Sequence, residues 1–198
     1  MEYIERAAIK GMARTQLKGN LGIMLLILIL YAVILGASGP TAIGPLLLTG
    51  PLSLGLAGSF LMLARGQKPG VNNLFDGFRT FLGPFVASLL TAIFVVLWSL
   101  LLIVPGIIAA LRYSQVYYIL RDNPELDGLA AIDRSKEMMR GHKGEYFVLL
   151  LSFFWWYCLC ILTLGIACLY VWPYTSLTLA NYYEELKKKQ GPGASMEL

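Results

Sequence analysis

Hydrophobic and polar positions along this chain fall into separate blocks. Residues 19–64, 80–111 and 146–183 contain no Asp, Glu, Lys, Arg or His, and these windows hold 46, 32 and 38 residues. A membrane-crossing helix needs about 20 apolar residues, so the first and third windows each have room for two crossings and a short turn. In the middle block, one unbroken helix from Phe81 to Leu120 would measure about 60 Å, about twice a bilayer core of about 30 Å. The pattern therefore predicts a hairpin there too: a helix over Phe81–Val104, a turn at Pro105-Gly106, and a short return over Ile107–Leu120. Proline lacks the amide donor and glycine tolerates unusual dihedrals, which favours a turn at that pair.

Between the windows the period becomes helical and amphipathic. Arg6, Lys10, Arg14 and Lys18 recur every four residues as a basic stripe, opposed by Ile4, Ala8 and Met12. Leu74, Phe75, Phe78, Phe81 and Leu82 form a second apolar face. Ala131, Ile132, Ser135, Met138 and Met139 form a third, with Asp133, Lys136, Glu137 and Arg140 on the other side. Such segments are expected to lie in the membrane interface.

The predicted architecture is all-α and polytopic, with six transmembrane helices as three hairpins and cytoplasmic interfacial helices. It forms a single integral membrane domain, 1–198. An amphipathic basic segment (1–18) precedes hairpin 1 (21–65); an interfacial segment (71–80) precedes hairpin 2 (81–121); another (126–141) precedes hairpin 3 (146–186) and a flexible tail (187–198). The unit of interfacial helix, span, turn and span thus occurs three times. Pro51, Pro105 and Pro173 stand near the outer start of each second span, with Arg65, Arg121 and Glu184 at its inner end.

Composition agrees with this class. Charged residues make up 14% of the chain, against roughly 25% in soluble domains. The apolar run from Leu21 follows a long basic lead and is succeeded at once by a second apolar segment, so it reads as an uncleaved span and not a signal peptide. All 16 Lys and Arg residues lie outside the three windows. If basic residues near span ends stay cytoplasmic, both termini are inside. The uncharged turns near Ser38-Gly39-Pro40, Pro105-Gly106 and Leu164-Gly165 then face outward. The net charge of +4 describes a basic face against anionic lipid headgroups, not a nucleic-acid surface.

Candidate chemistry centres on Arg112, seven residues past Pro105. No acid occurs in any of the windows, and a charge near a span centre costs at least about 2.5–3.5 kcal/mol. Its guanidinium can meet Tyr113, Ser114, Gln115 or Tyr117, Asn181 in the last span, or the phosphate of an anionic ligand. It can equally snorkel to a headgroup. Arg112, Tyr113, Ser114, Gln115, Tyr117 and Asn181 are the expected lipid- or substrate-binding set. His142 is the sole histidine, and Cys158, Cys160 and Cys168 lack companions at metal-ligand spacing. No catalytic residue, metal or cofactor is expected.

The stretches "GPLSLGLAGSFLMLARGQ", "LFDGFRTF", "LWSLLLIVPGIIAALRYSQVYYILRDNPEL", "AAIDRSKEMMRGHK" and "WPYTSLTLANYYEEL" resemble a bacterial membrane family described as domain of unknown function 975. They are also distantly similar to the membrane portion of bacterial glycerophosphodiester phosphodiesterases, whose catalytic domain has no counterpart here. The resemblance extends over nearly the whole chain and implies a six-helix inner-membrane protein; it carries over no catalytic residue. The expected function is non-enzymatic: binding or transport of an amphipathic anionic molecule, a lipid or peptide. The alternative is a scaffold or accessory subunit that holds a partner membrane protein.

Overall fold

The computed structural model describes residues 5–39, 43–101 and 103–190. Its elements in chain order are α1 (Arg6–Leu17), α2 (Leu21–Ser38), α3 (Ile43–Ala64), the 3-10 helix η1 (Val71–Phe78), α4 (Leu82–Leu101) and α5 (Ile103–Tyr113). They continue with α6 (Val116–Asp122), α7 (Gly128–Met138), α8 (Lys143–Leu151), α9 (Phe154–Leu162) and α10 (Cys168–Gln190). The fold is all-α among the described residues.

Four stretches are long and apolar enough to cross a membrane: Leu21–Ser38, Gly44–Ala64, Leu82–Leu100 and Lys143–Leu162, the last combining α8 and α9. They mark the chain as a multi-pass membrane protein. The two other expected spans miss that measure for physical reasons. α5 and α6 are separated by a break at Ser114-Gln115, and α10 carries the buried polar residues Thr175, Thr178 and Asn181.

The helices sort into an inner and an outer set. Leu52, Phe60 and Leu61 of α3, Ile119 and Leu120 of α6, and Tyr174, Leu177, Tyr183 and Leu186 of α10 are buried. Val33 of α2, Leu100 of α4, and Trp155 and Ile161 of α9 are exposed. In water so large an apolar exterior would drive association; in a bilayer it faces hydrocarbon.

The short amphipathic segments close this bundle as a ring. η1 packs on α3, α7 packs on α6 and α4, and α1 packs on α10. Each one therefore docks on the second helix of the preceding expected hairpin, and the first docks on the last. Glycine makes the first of these contacts close. A Cβ on Gly55 would collide with the Leu74 carbonyl, and one on Gly77 with the Pro51 carbonyl.

Several expectations change. α4 ends at Leu101 and α5 starts at Ile103, so Pro105-Gly106 lies in the first turn of α5 and not at the tip of the hairpin. Proline is tolerated there because first-turn amides have no helical acceptor. Gly106 is required by proximity instead: a Cβ would strike Ser99 of α4. The return expected over Ile107–Leu120 begins earlier and is broken. The turn at Leu164-Gly165 is present, both residues having positive φ; Pro40 of the first turn lies outside the described residues.

Leu74, Phe75, Phe78, Phe81 and Leu82 were expected to form the apolar face of an interfacial helix. The segment is a 3-10 helix that buries Leu74 and Gly77 and leaves Phe75 and Phe78 exposed side by side; Leu82, also exposed, belongs to α4. In α7 the expected face holds: Ala131, Ile132, Ser135, Met138 and Met139 are all buried. The tail expected to be flexible from Lys187 is helical through Gln190; 191–198 lie outside the described residues.

A basic groove beside a broken helix

α1 rests on α10 through Ile9, Ala13 and Leu17, one residue per turn. Ala8 and Met12, of the apolar stripe expected to face the interface, are exposed, and Ile4 lies outside the described residues. The buried ridge runs between the Ala8-Met12 side and the basic stripe, about 100° of helix from each. Arg6, Lys10 and Arg14 therefore flank the contact instead of pointing away from it, and Lys10 and Arg14 reach across to neighbouring helices.

Lys10 reaches furthest. Its ammonium donates to Ser152 Oγ at 2.6 Å and lies 4.4 Å from the centre of the Phe153 ring. Ser152 occupies the interruption between α8 and α9, and its hydroxyl donates in turn to the Leu149 carbonyl. The Val148 and Leu150 carbonyls are taken by the Ser152 and Phe153 amides, so the Ser152 hydroxyl is the polar group here that meets the cation. One turn along α1, the Arg14 guanidinium stacks 5.7 Å from the Tyr174 ring of α10. Burial, then repulsion from Arg6 and Arg14, lowers the Lys10 pKa. Among the described residues no ion pair is formed by Arg6, Lys10 or Arg14.

These side chains edge a groove of about 970 Å³ between α1 and α8. Glu5, Arg6, Ala7 and Lys10 form one wall. Arg140, His142, Glu145, Val148 and Ser152 contribute to the other. His142 Nδ1 is 3.2 Å from Glu145 Oε2, and the His142 carbonyl accepts from the Tyr182 hydroxyl, which ties this corner to α10. The groove thus combines cations, a carboxylate–imidazole pair and an apolar strip. Among the described residues no group of three His, Cys, Asp or Glu is arranged to hold a metal.

The expected site residues point to different neighbours. The Arg112 side chain is exposed and close enough to Lys143 to repel it, as is Arg140. Its carbonyl accepts from Ser135 Oγ, and the same hydroxyl accepts from the Gln115 amide at 3.3 Å, so α7 caps both sides of the α5–α6 break. Tyr113 packs on Phe94 of α4, and Ser114 accepts from Gln115 Nε2. Tyr117 interacts with Tyr31 and Ser53. Asn181 donates to Gln16 of α1, whose amide donates to the Ala64 carbonyl. Arg112 through Gln115 thus share the break, whereas Tyr117 and Asn181 serve other contacts. Sequence reasoning singled out the basic stripe of α1 but not its partner, because Lys10 and Ser152 are 142 residues apart.

An all-α bundle with an apolar exterior and a basic groove at the root of a broken span defines a class of membrane protein. Residues 100–190 match the model of a family described as "Protein of unknown function (DUF975)". The resemblance drawn from the sequence is borne out over those residues, which include α7, α8 and α10; the quoted stretches before residue 98 lie outside the match. No curated protein and no solved structure matches the chain.

Proposed function

We propose that this chain is a non-enzymatic inner-membrane protein that crosses the bilayer six times, with both termini cytoplasmic, and binds an anionic lipid. The lipid head occupies the groove between α1 and α8, and its chains lie against the apolar surface of α8. The observation that carries this reading is Lys10, half-buried, flanked by Arg6 and Arg14, and without a paired carboxylate among the described residues. A cation held away from water is costly unless it meets an anion, and a phosphate arriving from the membrane supplies one. Exposed Arg112 and Arg140, with partly buried Lys143 beside them, support the reading as a basic approach at headgroup level.

The test is a titration of the detergent-purified protein with short-chain phosphatidylglycerol and phosphatidylcholine. The anionic lipid binds more tightly, and an Arg6→Ala/Lys10→Ala double variant loses most of that preference. Equal affinity of the unaltered protein for both lipids contradicts the reading.

A further inference from the structure

We infer that the groove is the inner half of a path along which a phospholipid head crosses the bilayer. The inference rests on the lipid-binding reading and adds transport to it. Three observations carry it: the depth of the groove, its open side, and the ladder of cations within it.

Depth comes first. The groove extends along α8 from His142 to Ser152, about 15 Å at 1.5 Å per residue and so about half of a hydrocarbon core. Ser152 is the tenth of the twenty residues in the candidate span Lys143–Leu162. A site built only to grip a headgroup at the surface would end near Arg140 and His142. This one continues to the middle of a span and finishes at the short interruption between α8 and α9, where Ser152 Oγ presents a fixed polar group.

The open side comes next. Val148 lines the groove and is itself exposed, between exposed Phe147 and Leu151. A lipid can therefore keep its chains in the surrounding hydrocarbon while its head moves along the polar wall.

The ladder is the third. Arg6 and Lys10 both line the groove and are four residues apart, about 6 Å along α1. Arg6 stands at the mouth and Lys10 beside Ser152. A phosphate can thus pass from one cation to the next without becoming unpaired inside the membrane.

The experiment uses the full chain in vesicles of phosphatidylcholine and phosphatidylglycerol carrying a fluorescent phosphatidylglycerol in both leaflets. Dithionite, which does not cross the bilayer, bleaches only label that reaches the outer leaflet. The expected result is bleaching well beyond the half seen without protein. Arg6→Gln and Lys10→Gln should each slow it by about tenfold, while Lys10→Arg keeps most of the rate. Bleaching that stops at one half, with phosphatidylglycerol binding intact in the titration above, overturns the path and leaves the binding reading standing. Unchanged rates in both Gln variants overturn it as well. Loss of binding preference in the unaltered protein overturns both readings.

Discussion

Arg65, at the end of α3, donates through Nη2 to Asp122 Oδ1 at 2.8 Å, while its Nε donates to Glu184 at 2.9 Å. One guanidinium therefore ties together the inner ends of α3, α6 and α10. Asp122 also accepts from Lys187 Nζ at 2.6 Å and from the Tyr183 hydroxyl at 3.1 Å. Beside it, Arg121 pairs with Asp76 of η1 at 3.0 Å. The charged positions that close each second helix in the sequence thus converge in space.

Replacing Asp122 with Asn leaves Arg65 and Lys187 facing each other without their shared carboxylate. Asp122 is 9% exposed and Arg65 36%, so the loss falls between a surface pair and a buried one, at about 2 kcal/mol. Thermal unfolding in detergent should show a lower midpoint. Arg79→Ala, which removes an exposed cation, should leave it nearly unchanged.

The same carboxylate predicts an acid limb. Burial alone would raise the Asp122 pKa, but hydrogen bonds and charge from Lys187 and Arg65 outweigh it and hold the carboxyl below its ordinary range. A folded pKa below the unfolded value of about 3.9 means that the contribution is complete above that pH. It is lost as pH falls through the folded value. The unaltered protein should lose stability below about pH 4 more steeply than Asp122→Asn.

Glycine substitutions separate close packing from helix propensity. Gly55→Ala forces η1 away from α3 and should cost about 1–3 kcal/mol or more. Gly11→Ala meets no atom within 4 Å and should stabilise α1 by up to about 1 kcal/mol. Unfolding midpoints of the two variants check this directly.

The arrangement of crossings is open to labelling. With Cys158, Cys160 and Cys168 replaced by Ala, Ile166→Cys at the α9–α10 turn should react with an impermeant maleimide added outside intact cells. His142→Cys should react only after the membrane is opened. The reverse pattern contradicts cytoplasmic termini.

What could be read from the chain follows from how local each determinant is. The buried face of α7 was legible because Ala131, Ile132, Ser135 and Met138 alternate with charges at a true helical period. In η1 the apolar residues were legible but their division was not: the 3-10 turn buries Leu74 and leaves Phe75 and Phe78 together on the outer side. Pro105-Gly106 was a turn signal whose glycine in fact serves contact with Ser99. α1 was recognised as a basic amphipathic segment, but its orientation depends on where α10 and α8 stand. The pairs Lys10–Ser152 and Gln16–Asn181 span 142 and 165 residues, and no local period encodes them. The candidate site was therefore half legible: its cations were visible, the groove was not.

The central claim is that Lys10 meets a lipid phosphate in the groove between α1 and α8. The most direct measurement is a density map of the full chain in nanodiscs containing phosphatidylglycerol. The account predicts phosphate density within hydrogen-bond reach of Lys10 Nζ, with Arg6 or Arg140 as a second partner. A groove filled by an acyl chain, with phosphates ordered only at Arg112 and Lys143, would contradict it.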